Sequence, residues 1–274
     1  MSMTNATPGT AATLAGKNAV IYGGGGAIGG AVARAFAARG ARVFLAGRTA
    51  ATLEAVAEDI TAAGGTAETA VVDALDGDAV AEHAHSVAGR AGSLDISFNL
   101  VTRGDVQGSP LTAMSVADFV RPVTNGVTAN FLTATTAARI MTGQESGGVI
   151  LTLNSGSAKG SPMMGGTGPA DAAQDTLVRN LAVETGPQGV RVVGIWTAGL
   201  PETLSVERLR QVSPGMEMDQ DGLAALISQL DSMRMTRRSP TLAQIAATAA
   251  FLASDQAGSI TGTFVNATGG MFTD

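Results

Sequence analysis

A run of glycines, YGGGGAIGG at 22–30, lies between a short apolar stretch and a segment with helical spacing. Glycines in that context allow a tight turn and bring backbone N–H groups to a helix N-terminus, where they can hold a pyrophosphate. The next informative stretch is AGRT at 46–49, closing a second apolar run. An acidic side chain there would accept hydrogen bonds from an adenosine ribose, but Gly47 and Arg48 stand in its place. A guanidinium suits a 2′-phosphate, which favours NADP(H) over NAD(H). His83 and His85 flank position 84, with Glu82 beside them. Residues i and i+2 do not share a helical face, so no metal site is read there and both histidines are assigned to the surface. Arg103 and Asp105 follow the fourth apolar run, where they either line a crevice or form a loop ion pair.

The elements that must position these residues alternate in type. Strands are expected at 18–22, 41–47, 67–73, 94–100, 148–154, 190–196 and 262–267. Helices are expected at 31–40, 49–65, 79–92, 115–142, 169–186 and 241–253, the long one bent near Pro122 and Gly126. Strands that are apolar throughout, separated by helices, imply a parallel sheet covered on both faces. The expected architecture is therefore α/β: a single Rossmann-type, doubly wound parallel sheet with helices on both faces. Residues 201–239 break the alternation and carry Met216, Met218, Met233 and Met235. An insertion after a strand's carboxyl end in such a fold is expected to lie over the ligand crevice as a lid. Its methionines either meet an apolar substrate or fill core gaps. The polar leader 1–14 is expected to be disordered, leaving 15–274 as one domain.

Composition bounds the function. The chain has 274 residues, 45% hydrophobic and 15% charged, so it can bury a sizeable core. The formal charge is −6 with no basic run, which argues against nucleic acid as a partner. There is no cysteine, which removes disulfides, thiolate metal sites and cysteine nucleophiles. No uncharged apolar run is long enough for a membrane span, and a soluble cytoplasmic protein is expected.

Over nearly its whole length the chain resembles the short-chain dehydrogenase/reductase family. YGGGGAIG resembles that family's T-G-x-x-x-G-x-G, and Asp73 falls where the family has an aspartate near the adenine. LDISFNLVT at 94–102 resembles D-I-L-V-N-N-A-G and keeps Asp95, Ile96 and Asn99. LNSGSA at 153–158 resembles the strand end that bears the catalytic serine, here Ser155. LAVETGPQGVRV at 181–192 is very close to the family pattern. AGLPET at 198–203 resembles P-G-x-x-x-T, keeping Gly199 and Thr203, and 239–270 resembles the C-terminal helix and strand. The resemblance implies a cofactor held by Gly23, Gly24, Ile28, Gly29, Arg48, Asp73, Asn99, Gly199 and Thr203. It also implies a homo-oligomer, a tetramer packed through the long helices and the C-terminal segment.

The same resemblance exposes a departure. The family's Tyr-x-x-x-Lys pair falls on Thr167 and Asp171, and its assisting asparagine falls at Gly126, beside Asn125. The whole chain has one tyrosine, Tyr22, and its lysines are Lys17 and Lys159. In the family the tyrosine protonates the substrate oxygen, while the lysine holds the ribose and lowers the tyrosine's pKa. A threonine hydroxyl does not ionise near neutral pH. Asp171 inverts the local charge, could accept from ribose hydroxyls, and would favour the oxidised nicotinamide. Losing a general acid costs on the order of 3–5 kcal/mol.

Three readings are open. The first is an NADP(H) oxidoreductase of small apolar carbonyl or enone-like compounds, in which Ser155 polarises the substrate oxygen. The second is non-redox catalysis on the same scaffold. The third is a non-catalytic nucleotide sensor or structural subunit.

Overall fold

A computed structural model describes residues 12–213 and 217–273. Seven strands make one sheet: β1 (Asn18–Tyr22), β2 (Arg42–Gly47), β3 (Thr66–Val71), β4 (Ile96–Asn99), β5 (Gly148–Asn154), β6 (Val190–Trp196) and β7 (Thr263–Asn266). All neighbours pair parallel, in the order β3-β2-β1-β4-β5-β6-β7. The chain reverses its direction of travel across the sheet between β3 and β4. The crevice between the carboxyl ends of β1 and β4 is thus the switch point where such sheets bind ligands.

The strands build two cores by alternation. On β1, Ala19 and Ile21 face one side and Val20 and Tyr22 the other. The first side is covered by α1 (Ala27–Ala37), α2 (Ala50–Ala62) and α8 (Leu242–Ala253). The second is covered by α3 (Gly77–Ala91), α4 (Val116–Met141) and α5 (Thr167–Thr185). Two further helices, α6 (Val206–Val212) and α7 (Gln220–Met233), lie within the expected lid.

Several expectations are corrected. Leu14 is fully buried in the first core, so the folded domain includes the end of the expected leader; residues 1–11 lie outside the described residues. β3 is not apolar throughout. It is an edge strand, half exposed, whose Glu68 pairs with Arg42 and Arg90 and charges the edge against further pairing. α4, by contrast, is the one long helix expected, with Pro122 and Gly126 inside it. α1 and α5 begin earlier than their periodicity suggests, at Ala27 and Thr167, because glycine-rich first turns lack the apolar stripe. His83 is half-buried with its ring edge-on to Tyr22, not on the surface; His85 is exposed.

The lid is loosely held. Neither α6 nor α7 has a buried residue, and Met233 and Met235 are exposed rather than packed in a core. Met216 lies outside the described residues. Side chains that tie this segment to the rest of the fold include Glu202, which accepts from the Leu242 amide, Thr236, which donates to the Gly269 carbonyl, and one buried arginine. Arg234, directly after α7, is buried and donates to the carbonyls of Leu230, Ala198, Gly199 and Thr268.

Candidate active site

The glycine turn after β1 is sterically closed to side chains. Gly23 has φ +80°, and a Cβ there would lie 2.6 Å from the Leu100 carbonyl oxygen. A Cβ on Gly29 would lie 2.2 Å from the Gly23 carbonyl oxygen, so helix and turn meet backbone to backbone. α1 opens at Gly26 with no side-chain cap and no acidic residue in its first turn. The first amides of such a helix are donors awaiting an acceptor, and an anion supplies one.

The other residues assigned to a cofactor close or follow strands at the carboxyl edge of the sheet. Arg48 is exposed just past β2. Asp73 is exposed and accepts from the Leu75 amide at 3.0 Å. Asn99 closes β4 and is buried; its Oδ1 accepts from the Val101 amide at 3.1 Å, while its Nδ2 has no partner. An orphaned buried donor beside a bare helix N-terminus fits a dinucleotide lying across the switch point. Past β6, Gly199 has φ +51° and Thr203 donates to the Leu200 carbonyl at 2.8 Å.

The structure brings Ser155, Thr167 and Asp171 together, and it adds residues that the sequence left apart. Asp171 is 0% exposed. Its Oδ2 accepts from the Ser155 hydroxyl (2.6 Å), the Ser155 amide (3.2 Å) and the Ser157 amide (2.9 Å). Its Oδ1 accepts from the Arg103 guanidinium at 2.6 Å. Asp171 therefore has no free face for a ribose, and the expectation that it accepts from ribose hydroxyls is corrected: its acceptors are engaged within the protein.

Arg103 also reaches Asp105 through Nε (3.4 Å) and Nη2 (3.2 Å). Burial alone would lower its pKa, but the charges of Asp105 and Asp171 outweigh burial and hold it raised. The network closes at Thr167, whose hydroxyl donates to Asp105 at 2.7 Å and accepts from the Gln107 side-chain Nε2 at 3.2 Å.

Gly126 explains how Arg103 gets there. A Cβ at Gly126 would lie 2.6 Å from the Arg103 Cδ. Where an asparagine was expected, the helix surface is bare and the arginine stem lies against it. The neighbouring Asn125 donates to the Arg103 carbonyl at 3.1 Å and fixes the loop. The ion pair expected between Arg103 and Asp105 is present, but it is one limb of a larger network. The missed link, Arg103 to Asp171, had a signal in the sequence. A lysine replaced by an aspartate in a buried position requires a cation from elsewhere, and the Gly126 vacancy marks its path.

The chain's tyrosine and lysines take no part in this network. Tyr22 is 2% exposed in the core beneath β1, where burial raises its pKa. Lys17 pairs with Asp255, and the Lys159 ammonium lies 5.0 Å over the Trp196 ring. One turn beyond Asp171, buried Asp175 accepts from Asn154 Nδ2 (2.9 Å) and Trp196 Nε1 (3.4 Å). Burial pushes its pKa up, against the lowering effect of those two bonds.

Residues 25–272 match the family model described as enoyl-(acyl carrier protein) reductase. The chain belongs to the short-chain dehydrogenase/reductase family. It is 33% identical over 257 residues to an uncharacterized oxidoreductase of Mycobacterium tuberculosis, covering 93% of this chain and 92% of that one. It is 28% identical over 255 residues to levodione reductase of Leifsonia aquatica, covering 92% of each. Among solved structures, an NAD+-bound xylitol dehydrogenase superposes with a TM-score of 0.82 at 26% identity, covering 94% of this chain and 99% of that chain. A dehydrogenase/reductase from Sinorhizobium meliloti gives 0.80 at 27% identity, covering 96% and 98%. This short-chain dehydrogenase/reductase is thus of an oxidoreductase type that works with a nicotinamide dinucleotide. No helix among its described residues is long and apolar enough to cross a membrane.

Proposed function

We propose that the protein is an NADP(H)-dependent oxidoreductase with a non-standard active site, acting on a small apolar carbonyl or enone-like compound. One observation carries this reading: the hydroxyls of Ser155 and Thr167 both donate to carboxylates, Asp171 and Asp105. No tyrosine acid stands at the site, so an acceptor whose protonation can follow from water suits it better than a simple ketone. The nicotinamide dinucleotide would supply the hydride. Gly23, Gly24, Ile28 and Gly29 would hold its pyrophosphate on backbone groups, Arg48 its 2′-phosphate, and Asp73 its adenine. Asn99, Gly199 and Thr203 would flank the nicotinamide half. Ser155 polarises a substrate oxygen only if it exchanges its bond to Asp171 for one to substrate.

Binding titrations of NADPH, NADP+, NADH and NAD+, followed through Trp196, test the reading. NADPH should bind at least about tenfold tighter than NADH, and Arg48→Ala should remove that preference. Equal affinities in the wild-type protein would contradict the NADP assignment. A second reading, a nucleotide-binding sensor without turnover, is favoured by the self-satisfied network around Asp171. It predicts NADP(H) binding with no substrate-dependent loss of NADPH absorbance. We place the protein in the cytoplasm as a homotetramer, a state that light scattering tests.

A further inference from the structure

A ketone that accepts hydride becomes an alkoxide and needs a proton at its oxygen in the same step. At this site the available protons point inward. Ser155 donates to Asp171 at 2.6 Å, Thr167 donates to Asp105 at 2.7 Å, and Ser157 lies 2.7 Å from Ser155, whose own proton is already engaged. Arg103 is clamped between both carboxylates, and a guanidinium does not give up its proton in a protein. Asp105 and Asp171 against Arg103 leave the cluster one negative charge in excess. Around the cluster, Lys159 is held over the Trp196 ring, Asp175 is bonded to Asn154 and faces the charge of Arg179, and Arg121, whose stem lies against Gly104, is paired with Asp118. Fixed negative charge at the reacting position disfavours a developing alkoxide and favours a cation.

An acceptor that already carries positive charge reverses both demands. Hydride adds to the carbon of a C=N+ group, one C–H bond forms, and the π pair becomes the nitrogen lone pair. The product is a neutral amine and no proton is transferred. The two electrons and the hydride come from a reduced nicotinamide dinucleotide, which is released oxidised. Resting on the oxidoreductase reading above, we infer that this site also takes an iminium ion as hydride acceptor and prefers it to the neutral carbonyl of like shape, with the corresponding amine as donor in the reverse direction.

Three probes of similar size test this with NADPH and the full chain: an N-methyl dihydroisoquinolinium salt, the ring-matched ketone tetralone, and cyclohexenone. After subtraction of the protein-free rate, kcat/KM for the iminium should exceed that for tetralone by at least about a hundredfold, the scale of a missing general acid. Reduction of tetralone or cyclohexenone without the iminium would overturn the inference and leave the redox reading standing. NADPH binding with no turnover of any probe would overturn it too. Failure to bind any nucleotide would remove the underlying reading instead. A calorimetric readout is independent of turnover. Protonated N-methyl tetrahydroisoquinoline should bind Asp105→Asn about tenfold more weakly than wild type, while NADPH affinity stays within about twofold. Unchanged affinity for the cation would overturn the charge argument.

Discussion

Each oxygen of the Asp171 carboxylate faces donors from Arg103 or from the loop after β5, so the residue acts as an internal counterion and loop clamp. Arg103→Ala removes its cation and leaves a buried charge unpaired. The expected loss is about 3–5 kcal/mol of unfolding free energy, read from a denaturant midpoint. The double variant with Asp171→Ala should lose clearly less than the sum of the two single losses, because the pair acts as a unit. Asp175 gives a pH test. Burial sets its folded-state pKa above its unfolded one, so folding favours the protonated form. The stability it confers is present below about pH 4 and is lost as pH rises through the raised value. Asp175→Asn should therefore be more stable relative to wild type at pH 7 than at pH 3; a difference independent of pH would contradict the assignment. At this scale the sequence was only partly legible. Ser155, Thr167 and Asp171 fell out of motif spacing, because spacing along one strand and one helix is local. The reach of Arg103 across Gly126 spans a loop whose path no spacing encodes.

At the scale of elements, α4 and the segment expected to form a lid each meet an arginine. Gly126 lets α4 accept the Arg103 stem, and Gly126→Asn would restore a side chain where one cannot fit without moving that arginine. It should cost about 1–3 kcal/mol, as overpacking does, read again from a denaturant midpoint. A variant as stable as wild type would show that the loop yields freely. Arg234 helps hold segment 201–239, and its acceptors are four backbone carbonyls. Arg234→Met should raise the rate of proteolytic nicking within 201–239 by about tenfold or more, with the sheet's amide exchange little changed. Equal nicking rates would mean the lid is held elsewhere. The strands of the sheet centre were readable because Val, Ile and Leu run through NAVIY, GVILTLN and VRVVGIW. β3 was misread as buried, since an edge strand and a central one share propensity and differ only in what lies beside them. The first turns of α1 and α5 were missed for a related reason: glycines lining a close approach carry no periodicity.

At the scale of the whole molecule, exposed apolar side chains are the candidates for the interface of the proposed tetramer. Val116, Val120 and Phe131 recur at spacings that keep them on one face of α4, and Val183 is exposed on α5. For the tetramer proposed above, Phe131→Glu with Val183→Glu should shift the mass in light scattering to a smaller species; an unchanged tetramer would place the interface elsewhere. The family fold was legible across the chain because the glycine turn, Asp95, LAVETGPQGVRV and the C-terminal helix keep their order and spacing. The chemistry was not, because it depends on where charges from distant segments meet. The most direct test of the account is the NADPH dissociation constant of Asp171→Asn measured beside its unfolding free energy. An internal counterion predicts a loss of about 3 kcal/mol or more in stability with NADPH affinity within about threefold of wild type. An affinity changed by more than about tenfold with stability intact would contradict it, and would return Asp171 to the cofactor.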